Sequence, residues 1–157
     1  MKKLLTAMAL SSCLCTSSLM AEGLTPEDAV EARQAGFTFM AWNMGRIKAN
    51  LQGEYDAEEV KAAARAIASI SNSGLGQLFI PGTEKSTAEF ETEVKPELFD
   101  PENREQVGKL ARDLAMASRE LAIAAEKSDP AAVKTAFGAT GKSCKACHDE
   151  FRMEDDD

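Results

Sequence analysis

The segment SCKACHDEFR, residues 143 to 152, concentrates the side chains best suited to chemistry. Cys144 and Cys147 are three residues apart, His148 follows the second thiol at once, and no other histidine occurs in the 157-residue chain. On an α-helix, residues three and four apart share a face, so Cys144 lies near both Cys147 and His148. Two thiols so placed can add to the two vinyl groups on one edge of a haem. The adjacent imidazole can then reach the iron as its proximal ligand, which makes His148 the candidate metal ligand. C-x-x-C-H is the attachment signature of a c-type haem.

Other chemistries use the same residue types. Structural zinc takes four ligands, and only two cysteines and one histidine are at hand. A thioredoxin-like dithiol sits at a helix N-terminus after a strand. This pair sits near a helix C-terminus, where the dipole does not stabilise a thiolate. A plain surface disulfide beside a solvated histidine is the remaining reading, and a bond closing so small a loop adds little stability. The other face of an iron has no second histidine to bind it. Lysine or the terminal amine is not placed there by any pattern, so methionine is the usual remaining donor. Met40, Met44 and Met116 fall on or near inward stripes, where each also reads as core filler.

Four helices are expected to position these residues. The first opens at TPED, with Thr25 as N-cap, Pro26 at N1 and Asp28 at the capping-box position. Its stripe runs Val30, Arg33, Phe37, Met40, Met44, Ile47, Leu51, the seam of a bundle helix with Arg33 as the odd charged member. The second opens with Asp56 as cap and Glu59 closing the box, carries Val60, Ala63, Ile67 and Ile70, and ends at Asn72–Ser73–Gly74. The third opens with Asp100 as cap and Pro101 at N1, and repeats through Val107, Leu110, Leu114, Ala117, Leu121 and Ala124. The fourth opens with Asp129 and Pro130 and carries Val133, Phe137, Thr140, Cys144, Cys147 or His148, and Phe151. Residues 74 to 99, with their glycines and two prolines, read as one long irregular connection, and a stretch this long is usually functional or crosses the domain. The expected fold is all-α: an antiparallel four-helix bundle in one domain, residues 22–157, with its long connection between helices 2 and 3.

The first 21 residues read as a secretory signal: a basic MKK, a short apolar LLTAMAL and a small-residue stretch that could be cut after Ala21. An alternative is a lipobox ending at Cys13, which would make that residue a lipidated N-terminus. Either leader takes the chain out of the cytoplasm, which for a bacterial c-type haem protein means the periplasm. Cleavage after Ala21 removes Lys2, Lys3, Cys13 and Cys15, leaves Cys144 and Cys147 as the remaining cysteines, and moves the formal charge from −8 to −10. An acidic chain without a basic stripe is a poor nucleic-acid partner. The terminal EDDD reads as a solvated end, with steering of a basic partner as the other reading. No acid–base pair or nucleophile suggests an enzyme.

Taken together these residues resemble cytochrome c′, the high-spin branch of the class II c-type cytochromes. PEDAVEARQAGFTFMAWNMGRI is similar to the family's first helix, PGTE and KPELF to its connection, and AFGATGKSCKACHDEFR to its haem helix. The resemblance covers nearly all of the mature chain and implies the antiparallel four-helix bundle. It implies thioether sites at Cys144 and Cys147, one haem c, and His148 as axial ligand with Arg152 beside its imidazole. It sets Arg33 and Gln34 against the haem, Arg33 pairing with a propionate, and passes Thr92 and Glu93 by the haem edge. It also places Phe37 where low-spin, electron-carrying relatives have an iron-binding methionine, which implies five-coordinate iron with an apolar distal side. Many members have Trp where this chain has Phe99. The family binds NO and is linked to nitrosative-stress resistance, so NO and CO are the expected ligands, and electron transfer with a redox partner protein is the alternative. Members often form homodimers through helices 1 and 2, for which Phe39 and Trp42 could supply the patch, unless they pack under the connection instead.

Overall fold

The structure, a computed structural model, describes residues 23–153. The expected signal segment, the lipobox at Cys13 and the acidic end at 154–157 lie outside the described residues. Four helices follow in order: α1 (Pro26–Gln52), α2 (Ala57–Ser71), α3 (Arg104–Glu126) and α4 (Pro130–Phe151). Short 3₁₀ turns at Leu75–Leu78 and Pro96–Phe99 punctuate the connection, and a third, Pro101–Asn103, leads into α3. Among the described residues no helix is long and apolar enough to cross a membrane.

Capping explains where the helices start, with three departures from expectation. Thr25 Oγ1 accepts from the Asp28 N–H at 3.1 Å, but the Asp28 carboxylate accepts from the Thr25 hydroxyl rather than from the cap backbone. Asp56 accepts from the N–H groups of Glu58 and Glu59. Glu59 does not close that box: the Asp56 N–H donates to Asn50 Oδ1 at 2.8 Å, and Glu59 pairs with Arg46 at 3.2 Å. Asp100 caps nothing with its side chain, because the Pro101 turn is 3₁₀ and α3 begins at Arg104. Asp129 behaves as expected, accepting from Ala131 and Ala132 behind Pro130 at N1. Asp129→Ala therefore orphans two helix donors and is expected to lower stability by ~1 kcal/mol in urea denaturation.

The helices run up, down, up, down. Arg65 of α2 meets Glu126 of α3, and Ser71 meets Ser118, so this pair is antiparallel. Thr140 of α4 donates to the Ala117 carbonyl of α3, which sets the last half of α4 beside the first half of α3. One apolar cluster, including Met40, Ile47, Val60, Ala63, Ala64, Ile67, Leu121, Ala125 and Val133, fills the end away from the cysteines. The alanines let α2 approach closely. Ser118, rather than the neighbouring Ala117, is the fully buried residue there, its hydroxyl shared with Ser71 at 2.6 Å.

The other end is built differently. Asn72, just past α2, lies against the Ala115 carbonyl, so the first half of α3 runs about 15 Å beyond α2. Gly36 of α1 sits at the same level, where a Cβ would stand 3.0 Å from Leu75. Beyond that level the bundle has three helices, and the connection takes the place of the fourth. The connection leaves α2 through Gly74 at φ 91° and stays at this end instead of crossing the domain. Inward residues here, including Phe37, Ile70, Val107, Leu110, Leu114, Cys144 and Cys147, are only half-buried.

Candidate cofactor site

The helical register of α4 puts Cys144 and Cys147 on the half-buried face and leaves His148 more exposed. Both thiols are free. Burial pushes the Cys144 thiol up from its ordinary pKa, and burial and then Cys144 do the same to Cys147. Neutral thiols at a helix C-terminus are the opposite of an activated dithiol. Among the described residues no three His, Cys, Asp or Glu side chains gather in a group that could hold a metal ion, which counts against a structural zinc. Burial first, and then Arg152, lowers the His148 pKa. That favours the neutral imidazole, the form that ligates a metal.

The connection fastens to the end of α4 next to this motif. The Lys95 N–H donates to the Phe151 carbonyl at 2.9 Å, and the Met153 N–H to the Glu93 carbonyl at 2.7 Å. Val94 and Arg152 thereby form a short antiparallel bridge. Arg152 Nη2 stands 2.8 Å from Glu93 Oε2. Glu93 and Arg152, both expected near the cofactor, are thus paired with each other.

Arg33 fastens the connection to α1. It is 2% exposed. Nη1 donates to Thr83 Oγ1 at 2.8 Å and the Leu78 carbonyl at 3.3 Å. Nη2 donates to Thr92 Oγ1 at 2.6 Å and the Thr83 carbonyl at 3.2 Å. The guanidinium also lies over the Phe79 ring, 4.8 Å from its centroid. The resemblance assigns Arg33 to a propionate. Here the four Nη hydrogens go to the connection, which leaves the Nε–H for any further partner. Gln34 follows suit, donating to the Glu91 carbonyl at 2.9 Å. Among the described residues no ion pair includes Arg33, and burial lowers its pKa.

Phe37, one turn after Arg33, faces the same end, its ring 6.4 Å from that of Phe79. Phe79 in turn lies 6.5 Å from Phe99. The candidate sulfur donors are elsewhere: Met40 is buried in the core, Met44 is packed against it, and Met116 is 56% exposed rather than inward. Sequence reasoning missed Thr83, which is fully buried, and Phe79. Their only signal was the PGT turn and one of three phenylalanines in an irregular segment.

These residues fit a haem. Two free thiols three apart, an adjacent imidazole, a half-buried apolar bundle end and a buried cation without a carboxylate meet its vinyls, iron, macrocycle and propionates in kind. Among the described residues at this end, His148 offers an imidazole nitrogen and Phe37 a phenyl ring.

Comparison with known proteins identifies the family. The family model described as Cytochrome C′ matches residues 28–152. A cytochrome c′ from Allochromatium vinosum is 51% identical over 149 residues, 95% of this chain and 96% of that protein. The structure of a cytochrome c′ with ligand-controlled dimer dissociation superposes with a TM-score of 0.81 at 53% identity, covering 84% of this chain and 99% of the other. Cytochrome c′ from Alcaligenes xylosoxidans, a ferrous variant with bound NO, gives 0.72 at 30% identity, covering 83% and 98%. A carbon monoxide complex of another variant of that protein is equally similar.

Proposed function

This chain belongs to the cytochrome c′ family, and from that premise we propose that it is an exported, periplasmic protein carrying one haem c, a five-coordinate binder of NO and CO that scavenges nitric oxide. Cys144 and Cys147 hold the group through thioethers, and His148 is its one protein ligand. When bound, the haem supplies an iron able to take up a diatomic gas.

The observation that carries this reading is Phe37 on α1 at the same end of the bundle as the Cys144–Cys147–His148 face of α4, with Met40 committed to the core. A phenyl ring has no lone pair, so the chain offers the metal no sixth ligand from that position. Phe37, Phe79 and Phe99 offer no hydrogen bond to bound O₂, which disfavours it against NO and CO. Arg33 brings a buried positive charge beside the connection, favourable to a propionate within reach of its Nε–H. Gln34, Thr92 and Glu93 hold the connection along the haem edge, and the Arg152 cation helps keep His148 neutral. On this reading the protein binds its ligand without catalysis.

The chain also forms a homodimer through α1 and α2 on this reading. The Phe39 and Trp42 rings, tilted 32° to each other with centroids 5.2 Å apart on the outer face of α1, are 48% and 55% exposed. A relative's dimer that dissociates under ligand control supports this.

Mixing the reduced protein with NO is expected to shift its absorption spectrum at once. An unchanged spectrum overturns the gas-binding role. A resting low-spin spectrum with a methionine-to-iron band would replace it with an electron carrier.

A further inference from the structure

We propose that Phe79 is a positioning residue for Phe37, setting how readily the distal ring moves aside for an incoming ligand; this rests on the gas-binding reading above. Phe79 belongs to the connection, not to the bundle. Its ring is nonetheless held on several sides. The Arg33 guanidinium lies over one face, 4.8 Å from the centroid. The Phe37 ring stands 6.4 Å away at 57°, and the Phe99 ring 6.5 Å away at 55°. Tilted rings at such separations attract one another, and a cation over a ring face adds to that.

The backbone is pinned as well. The Leu78 carbonyl accepts from Arg33 Nη1, and the Phe79 N–H donates to the Gly76 carbonyl. Thr83, four residues on, accepts from the same guanidinium and donates to the Ile80 carbonyl at 2.8 Å. Arg33 and Phe37 are one turn apart on α1 and both touch Phe79. The ring is therefore wedged between the residue that anchors the connection and the residue that obstructs the site. Phe37 cannot swing toward the connection while Phe79 stands there. Otherwise Phe37 is packed against the buried core cluster of the helices.

The test is CO association with the reduced holoprotein after flash photolysis. Phe79→Ala is expected to accelerate it about five- to tenfold, the size expected for one loosened aromatic contact. The same substitution in a Phe37→Ala background is expected to add nothing, since there is then no distal ring to hold. Crystal structures give a readout independent of gas uptake: in Phe79→Ala the Phe37 ring turns into the freed space. Should the alanine variant fail to fold, Phe79→Leu keeps bulk, loses the cation–ring and ring–ring contacts, and is expected to give a smaller acceleration. An unmoved Phe37 ring, an unchanged rate, or equal acceleration with and without Phe37 overturns the proposal while leaving gas binding intact. A wild type that takes up no CO overturns the gas-binding reading, and this inference with it.

Discussion

With serine at both Cys144 and Cys147, the chain is expected to emerge from a working cytochrome maturation system without covalent haem. A hydroxyl is nearly isosteric with a thiol but does not form the thioether, and no cysteine outside the expected leader is available as a substitute. The helix itself survives. Its cap at Asp129 and its buried Val133 and Thr140 lie one to four turns before the motif, and the main core is at the far end of the bundle. Far-UV circular dichroism should therefore remain helical while the intact mass lacks the haem increment under denaturing conditions. His148→Ala is the matching control. It keeps both sulfurs, so the haem mass stays and the spectrum changes. A double serine variant that retains haem through denaturation would refute the thioether assignment, and one that is unfolded would refute the separation of core from site.

Arg33→Met is expected to cost about 3–5 kcal/mol, because several buried acceptors lose their donor at about 1–3 kcal/mol each, the largest stability loss among these variants. Methionine fills much of the same volume. It leaves the Leu78 and Thr83 carbonyls and the Thr83 and Thr92 hydroxyls without the donor they now share. Thr83 and Thr92 are buried, so water does not readily replace it. Arg33→Lys keeps the charge but is a point donor and not a fork, so it recovers only part of the loss. Urea midpoints of the three proteins check this. A midpoint for the methionine variant within experimental error of wild type would mean that the connection does not depend on Arg33.

Much of the architecture was legible in the sequence because its signals are local. Thr25–Pro26, Asp56 and Asp129–Pro130 each mark a helix start with signals only a few residues long, and each stripe repeats within its own helix. Glu59 was misread because its competitor, Asn50, belongs to the preceding helix. The α3 start was misread because a cap followed by proline fits a 3₁₀ turn as well as an α-helix. The Cys144–Cys147–His148 motif was legible for the same local reason. Arg33 could be recognised as an anomaly, but its partners lie 45 to 59 residues away in a segment with no period to read. Met116 misled because a residue near a stripe can still face outward, and the structure exposes it. The role of Thr83 and Phe79 depends on where the connection lies, which no repeat encodes.

Thr92 and Glu93 are consecutive, yet the first is gripped from α1 and the second from the end of α4. Chain length is therefore fixed at this point: one residue inserted between them would throw one of the two grips out of register. Lys85 to Glu89, by contrast, are exposed and lie between the grips at Thr83 and Thr92. A peptide tag or reporter spliced there would lengthen a loop whose ends are already clamped, making it the natural place to enlarge this protein.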